Sequence, residues 1–281
     1  MPQLGAGGHS PVPLPLIPKV FIPVLHIITP PGSHGGDALK KHVVAQAHVA
    51  VSNGADGLAL CSAEAGLPIS ATLDAAAAVA AEFPTLPLII NFMCPVGEAL
   101  ESVPQFAHLW TDKGVDVRGV HTDVIAAFGR RRADWQGTWL AGYFFKGSQR
   151  DFMTLSEETL AASAKAVADF SDVPITSGAG TGVPPVPAEL ARLRKALFSA
   201  SSVTRLANAS GVNIDNVSEL LPGVDVFLVA TGIERDASDS RVLAFYKECG
   251  LPAVDVGYLD AAKTRALADA IHAYEPAQMG V

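Results

Sequence analysis

Lys146 directly follows Tyr143, Phe144 and Phe145, and an amine at the end of an aromatic run is the sharpest chemical signal in the chain. Aromatic neighbours strip water from an ammonium group, which lowers its pKa and makes it available as a nucleophile or proton carrier. Two other readings fit the same residue: a fixed charge for a substrate anion, and a lysine whose stem lies on the surface with its head in water. His121 and Asp123 lie two apart, so on an extended strand both point to one face. There an Asp can hold the imidazole in one tautomer for general acid–base work. With His26 and Glu64 the pair could instead ligate a metal. No H-x-H or H-E-x-x-H spacing accompanies it, so neither a metal nor a cofactor is expected. His26 alone reads equally as a catalytic group and as a core histidine bonded to backbone.

A second signal is made of glycine. Residues 177–182, Ser-Gly-Ala-Gly-Thr-Gly, pack three glycines into six positions, and Ser210-Gly211 and Thr231-Gly232 repeat the small-residue turn later in the chain. Glycine turns at strand ends expose backbone N–H groups that can hold a phosphate. The plainer account is that parallel strands need tight turns into their helices. Together with Asn91, His26 and Glu234, residues Gly180, Thr181, Gly182, Ser210, Gly211, Thr231 and Gly232 form the expected substrate- and phosphate-binding set. Lys146, Asp123, His121 and Glu64 form the expected catalytic set.

These residues work together only if a fold brings them to one place. Apolar runs of strand length occur at Lys19–Ile28, Asp56–Leu60, Pro87–Phe92, Val117–Thr122, Thr138–Phe145, Val173–Thr176, Val203–Ala207 and Val224–Ala230. Helical patterns separate them, among them 37–53, the alanine-rich 71–83, 98–113 with Pro104 either in its first turn or dividing it, one opening near Ser156, and 187–198. Further helices are expected at 240–249 and 260–273. Eight strands alternating with helices predict an α/β fold, a single-domain (β/α)8 TIM barrel, residues 19–281. Residues 1–18 form a Pro/Gly-rich N-terminal arm, and the last helix is an extra C-terminal one. A doubly wound sheet is disfavoured, because no G-x-G-x-x-G follows the first strand. In the barrel every candidate residue falls at a strand's C-terminal end, where such folds keep their chemistry.

Composition narrows the partners. Of 281 residues, 49% are hydrophobic and 17% charged, which suits a sheet buried on both faces. The formal net charge of −8, with Arg130-Arg131-Arg132 an isolated basic run, argues against nucleic acid. No apolar run reaches the length of a membrane span, and the N-terminus lacks the pattern of a signal peptide. Three widely spaced cysteines, Cys61, Cys94 and Cys249, read as buried hydrophobes in a reduced cytoplasmic compartment. Association of identical copies through the alanine-rich helices stays open.

Several motifs together look familiar: Val24-Leu25-His26-Ile27 before Pro31-Gly32-Ser33, Gly54-Ala55-Asp56-Gly57, Asn91, Lys146, Gly180-Thr181-Gly182, and Ser210-Gly211-Val212 with Asn216-Val217. Over about residues 20–250 the chain resembles the BtpA family of barrels, the group of photosystem I biogenesis and SgcQ-like proteins. It departs from that pattern at Cys61–Gly66, at Arg118–Asp123 and at Gly232–Arg235. The resemblance implies the barrel and, for some members, a non-catalytic assembly or stability role.

The residues themselves point to an enzyme of aldolase, lyase or isomerase type acting on a small phosphorylated or ribosyl metabolite. Lys146 would be the Schiff-base amine or proton carrier, and Asp123 or Glu64 the base. A nucleosidase-type hydrolase, with a carboxylate activating water, is the alternative chemistry.

Overall fold

A computed structural model of the chain describes residues 10–27, 36–62, 67–115, 122–146, 153–200, 205–236 and 258–275. Eight parallel strands pair in sequence order and the last closes on the first. They are β1 Val20–Ile27, β2 Leu58–Ser62, β3 Leu88–Asn91, β4 His108–Val115, β5 Trp139–Tyr143, β6 Val173–Thr176, β7 Ala207–Asn208 and β8 Val226–Val229. The helices between them are α1 Asp37–Ser52, α2 Ile69–Glu82, α3 Val96–Ser102, α4 Thr122–Arg132, α5 Glu157–Phe170, α6 Pro187–Ala200 and the short α7 Val217–Leu220. Helix α8, Ala261–His272, follows β8. It is the expected C-terminal helix, and it packs against α1, α7 and β1, taking the last place in the ring. The pattern expected at 240–249 lies outside the described residues.

Strand alternation divides the core in two. Phe21, Leu25, Leu60, Ile90, Leu109, Trp139 and Phe227 point outward into the larger cluster beneath the helices. Val20, Ile22, Val24, Ala59, Ile89, Trp110, Leu140 and Leu228 point inward and fill the barrel. Small residues set the helix–sheet distance: α2 buries Ala71, Thr72, Ala75, Ala76 and Val79. Capping follows the sequence signals, with Ser156 Oγ accepting from Thr159 N at 3.1 Å to start α5.

The fourth strand corrects the expectation. It occupies His108–Val115, overlapping the second half of the segment read as a helix over 98–113. The helix stops at Ser102 because Pro104 supplies no N–H to continue it. Thr122, expected at the strand's end, begins α4 instead. β4 also runs irregularly beside β5: Thr111 pairs with Ala141 and Val115 with Tyr143, four steps along one strand against two along the other. A bulge of this kind bends its strand. The two backbones come so close that a Cβ on Gly142 would lie 2.0 Å from the Asp112 carbonyl oxygen.

The N-terminal segment closes the bottom of the barrel. Leu14 is buried in the inner cluster, and Arg205 donates to the Pro15 and Ile17 carbonyls. His108, at the lower end of β4, is the keystone. Its Nε2–H donates to the Val12 carbonyl at 2.7 Å, and its Nδ1 accepts from Thr138 N at 2.9 Å. Those two bonds define a neutral ring. Burial lowers the His108 pKa below its ordinary 6.5, and the hydrogen bond to Val12 works the other way. Because the unfolded chain takes up this proton more readily, His108 contributes stability above about pH 6.5 that is lost as pH falls below it. The urea midpoint is therefore expected to drop between pH 7 and pH 5 by more in the wild type than in His108→Gln, and equal slopes would contradict this.

Candidate active site

The inward alternation that fills the barrel with apolar side chains changes character one step below the rim. His26 follows Val24, Asn91 follows Ile89, and Asp112 follows Trp110, each two residues on and on the same face. Asn91 is buried and donates from Nδ2 to Asp112 Oδ1 at 2.9 Å. The other carboxylate oxygen, Oδ2, lies 3.1 Å from Lys146 Nζ. Asn91 Oδ1 in turn accepts from Met93 N at 2.9 Å, so the amide is fixed on both sides and orients the carboxylate. Met93, Asp112 and Lys146 border a cavity of about 260 Å³ that also touches His26, Cys61, Thr181, Gly182, Ser210, Gly211 and Gly232.

Lys146 reaches this cavity through a strained backbone. Phe144 and Lys146 have φ of 48° and 50°, a left-handed conformation that costs non-glycine residues on the order of 1–3 kcal/mol each. Side chains from β6 and its turn hold the kink. Thr176 Oγ1 donates to the Phe144 carbonyl at 3.3 Å, and Ser177 Oγ accepts from Lys146 N at 2.7 Å. Of the three aromatic residues before the lysine, only Phe145 shares its space, with Nζ 5.3 Å from the ring centroid. Tyr143 and Phe144 belong to the outer cluster, and the Tyr143 hydroxyl bonds to Ser163.

The glycine turns after β6, β7 and β8 meet as one rim. Ser210 Oγ donates to the Gly180 carbonyl at 3.0 Å, Asn208 Nδ2 to the Ser210 carbonyl at 3.0 Å, and Asn216 Nδ2 to the Gly211 carbonyl at 2.7 Å. In a trans peptide the N–H points away from the carbonyl. Anchoring these three carbonyls therefore aims the N–H groups of Thr181, Gly211 and Val212 away from the anchors. None of the three donates to a backbone carbonyl among the described residues, and all three residues line the cavity. N–H groups presented in this way are able to hold an anion.

His26 and Glu234, both expected to touch substrate, touch each other. His26 Nδ1 lies 3.0 Å from Glu234 Oε1, and Glu234 is 4% exposed. Cys61 sits beside them as a thiol: burial first, and the Asp112 carboxylate second, push its pKa up to about 12. Among the described residues no group of three or more His, Cys, Asp and Glu side chains is placed to hold a metal ion.

Of the residues expected from the sequence, His26, Asn91, Lys146, Gly180, Thr181, Gly182, Ser210, Gly211, Thr231, Gly232 and Glu234 all lie at or beside the mouth. Glu64 and His121 lie outside the described residues. Asp123 is on helix α4 rather than on a strand, so the reading of His121 and Asp123 as neighbours on one strand face is corrected. Asp112 was missed, because its segment was read as helix. Its signal was the run His108-Leu109-Trp110-Thr111, rich in strand formers once Pro104 is allowed to end the helix.

Closed parallel sheet, helical ring and mouth cavity make this a (β/α)8-barrel protein. In structure it is similar to tryptophan synthase subunit alpha from Legionella pneumophila str. Paris, at 12% identity and a TM-score of 0.57 over 90% of this chain and 92% of that one. It is also similar to a structure described as native KDPGal, at 14% identity and 0.53 over 89% and 93%. A dihydrodipicolinate synthase from Agrobacterium tumefaciens str. C58 matches at 15% identity and 0.50 over 75% and 69%. At these identities the likeness is one of fold. No family model and no curated protein matches the sequence, so the BtpA resemblance rests on its motifs. No helix among the described residues is long and apolar enough to cross a membrane.

Gly211 is the rim position least able to change: its φ is 68°, and an added Cβ would meet Pro184 N at 2.1 Å. Gly211→Ala is expected to destabilise the protein by roughly 2 kcal/mol or more, read as a lower urea midpoint. Gly182 has open space around it, and Gly182→Ala should cost less. A Gly211→Ala midpoint as high as that of Gly182→Ala would contradict the packed rim.

Proposed function

We propose that the protein is a lyase of aldolase type that binds a small phosphorylated carbonyl compound, with Lys146 as the amine that attacks the carbonyl. The observation that carries this is the placement of Lys146 Nζ 3.1 Å from Asp112 Oδ2, in one cavity with the amide nest of Thr181, Gly211 and Val212. A phosphate on the nest leaves the rest of a small molecule lying toward the lysine. Anion and amine then have separate partners, so the lysine need not serve as the phosphate's counter-ion.

The chemistry follows from the pair. Asp112, held by Asn91, accepts a proton from the Lys146 ammonium as the amine adds to the substrate carbonyl carbon. Returning that proton to the carbinol oxygen lets water leave and forms the imine. The positive charge on the imine nitrogen then draws electrons from a neighbouring C–C or C–H bond, which is the step shared by aldol cleavage and isomerisation. Phe145 lies against the amine on one side, and the lysine side chain stays 37% exposed, open to an entering substrate. The strained φ at Lys146 is the kind of backbone outlier that clusters at active sites. Motifs shared with the BtpA family fall on these same elements, His26, Asn91, Lys146 and residues 180–182 and 210–212, and two of the structural neighbours are named as synthases.

The test is reductive trapping. Wild-type protein incubated with dihydroxyacetone phosphate and borohydride is expected to gain one reduced adduct, mapped by mass spectrometry to Lys146. Lys146→Met should lose it. Asp112→Asn should slow its formation about 100-fold, and Thr181→Glu, which sets a carboxylate on the nest, should weaken binding at least 10-fold. An adduct on another lysine, or none across keto phosphates and keto acids, would sink the reading.

A further inference from the structure

The mouth holds a second pair of ionisable groups that the Lys146 chemistry does not use. His26, the last inward residue of β1, has Nδ1 3.0 Å from Oε1 of Glu234. Glu234 lies on the turn after β8 and is 4% exposed. That turn is tied to α8, where Asp260 N donates to the Ile233 carbonyl and Lys263 Nζ donates to the Glu234 carbonyl. A buried carboxylate against Nδ1 keeps the ring proton there and leaves a lone pair on Nε2. Nε2 has no partner among the described residues, while the ring, 17% exposed, lines the cavity.

The surroundings do not compete for this role. Cys61 is His26's partner across the β1–β2 ladder, and burial pushes its thiol up to about 12, so it stays protonated. His42, on α1, is turned against the Tyr258 ring. Round an eight-stranded barrel β1 and β5 are four strands apart in either direction. His26 and Lys146 therefore face each other across the mouth.

We propose that His26 is a second catalytic residue, positioned by Glu234, which moves a proton on the side of the substrate opposite Lys146, and that the substrate is accordingly a phosphorylated β-hydroxy ketone or its cleavage product. The inference rests on the imine reading of Lys146. After Nζ has condensed with the ketone and water has left, Nε2 takes the proton of the β-hydroxyl. The O–H electron pair becomes the second bond of a new carbonyl and the bond between the α and β carbons breaks. Its electrons pass to the imine nitrogen as an enamine forms. The imidazolium, stabilised by the Glu234 carboxylate, returns its proton to the enamine carbon, and water releases the product from Lys146.

The experiment reads the last half of that sequence in reverse. Full-length wild type, His26→Asn, Glu234→Gln and Lys146→Met are incubated in D2O with dihydroxyacetone phosphate and, separately, pyruvate. Deuterium entry at the α-carbon is followed by NMR, and the Lys146 adduct by borohydride trapping. Thermal unfolding of each variant separates lost chemistry from lost fold. His26→Asn is expected to keep the adduct and lose exchange about 100-fold. Glu234→Gln should lose about 10-fold, and Lys146→Met should lose both signals. Exchange in His26→Asn at the wild-type rate overturns the assignment. If wild type forms no adduct, the imine reading fails, and the ring itself then decides by 15N–1H NMR. A proton on Nδ1 at neutral pH upholds His26 as a base facing the cavity, and one on Nε2 overturns it.

Discussion

Closing a parallel sheet on itself makes every second side chain of every strand an interior side chain, and the rest of the molecule follows from that constraint. The interior has no water to share, so its lower and middle levels are apolar: Val20, Ile22 and Val24 on β1, Ile89 on β3 and Leu228 on β8. Polar inward groups begin one step above these, at the mouth, where His26 follows Val24, Asn91 follows Ile89 and Asp112 follows Trp110. The opposite end is sealed by Leu14, the His108 bonds to Val12 and Thr138, and the Lys19–Asp225–Arg194 network. The barrel thus has one chemically open end.

At that end a single carboxylate organises the groups around it. Asp112 draws Asn91 on one side and Lys146 on the other. The pair is partly exposed, 37% for Lys146 and 21% for Asp112, and the unfavourable φ at Lys146 is held by the Thr176 and Ser177 bonds to the backbone. The glycine rim answers with the opposite electrostatics, N–H dipoles without a formal charge, a local source of positive potential on a protein of net charge −8. His26 and Glu234 add a third arrangement, in which the carboxylate is buried and the ring mediates between it and the cavity.

Much of this was legible in the sequence because buried parallel strands are continuous apolar runs. β1, β3, β5, β6 and β8 each carry such a run, and the tight turns after β6, β7 and β8 announce themselves by glycine. β4 was not legible for a physical reason. His108-Leu-Trp-Thr-Asp-Lys-Gly has polar groups at both ends and a glycine stop, so it resembles the close of an amphipathic helix more than a buried strand. The Val-rich stretch after it reads more readily as a strand over 117–122, and that reading pairs His121 with Asp123. Partnerships were the other hidden layer. That Glu234 contacts His26 from 208 residues away in the chain, or that Asn216 fixes the Gly211 carbonyl, depends on side-chain directions that residue types alone do not carry.

The measurement that bears most directly on the account is a crystal structure of the protein soaked with dihydroxyacetone phosphate. Density running unbroken from Lys146 Nζ to the substrate's carbonyl carbon, with the phosphate on the Thr181, Gly211 and Val212 amides, is the predicted result. A phosphate bound to Lys146 itself, with the carbon chain pointing away and the amide rim empty, would make the lysine a counter-ion and contradict the central claim.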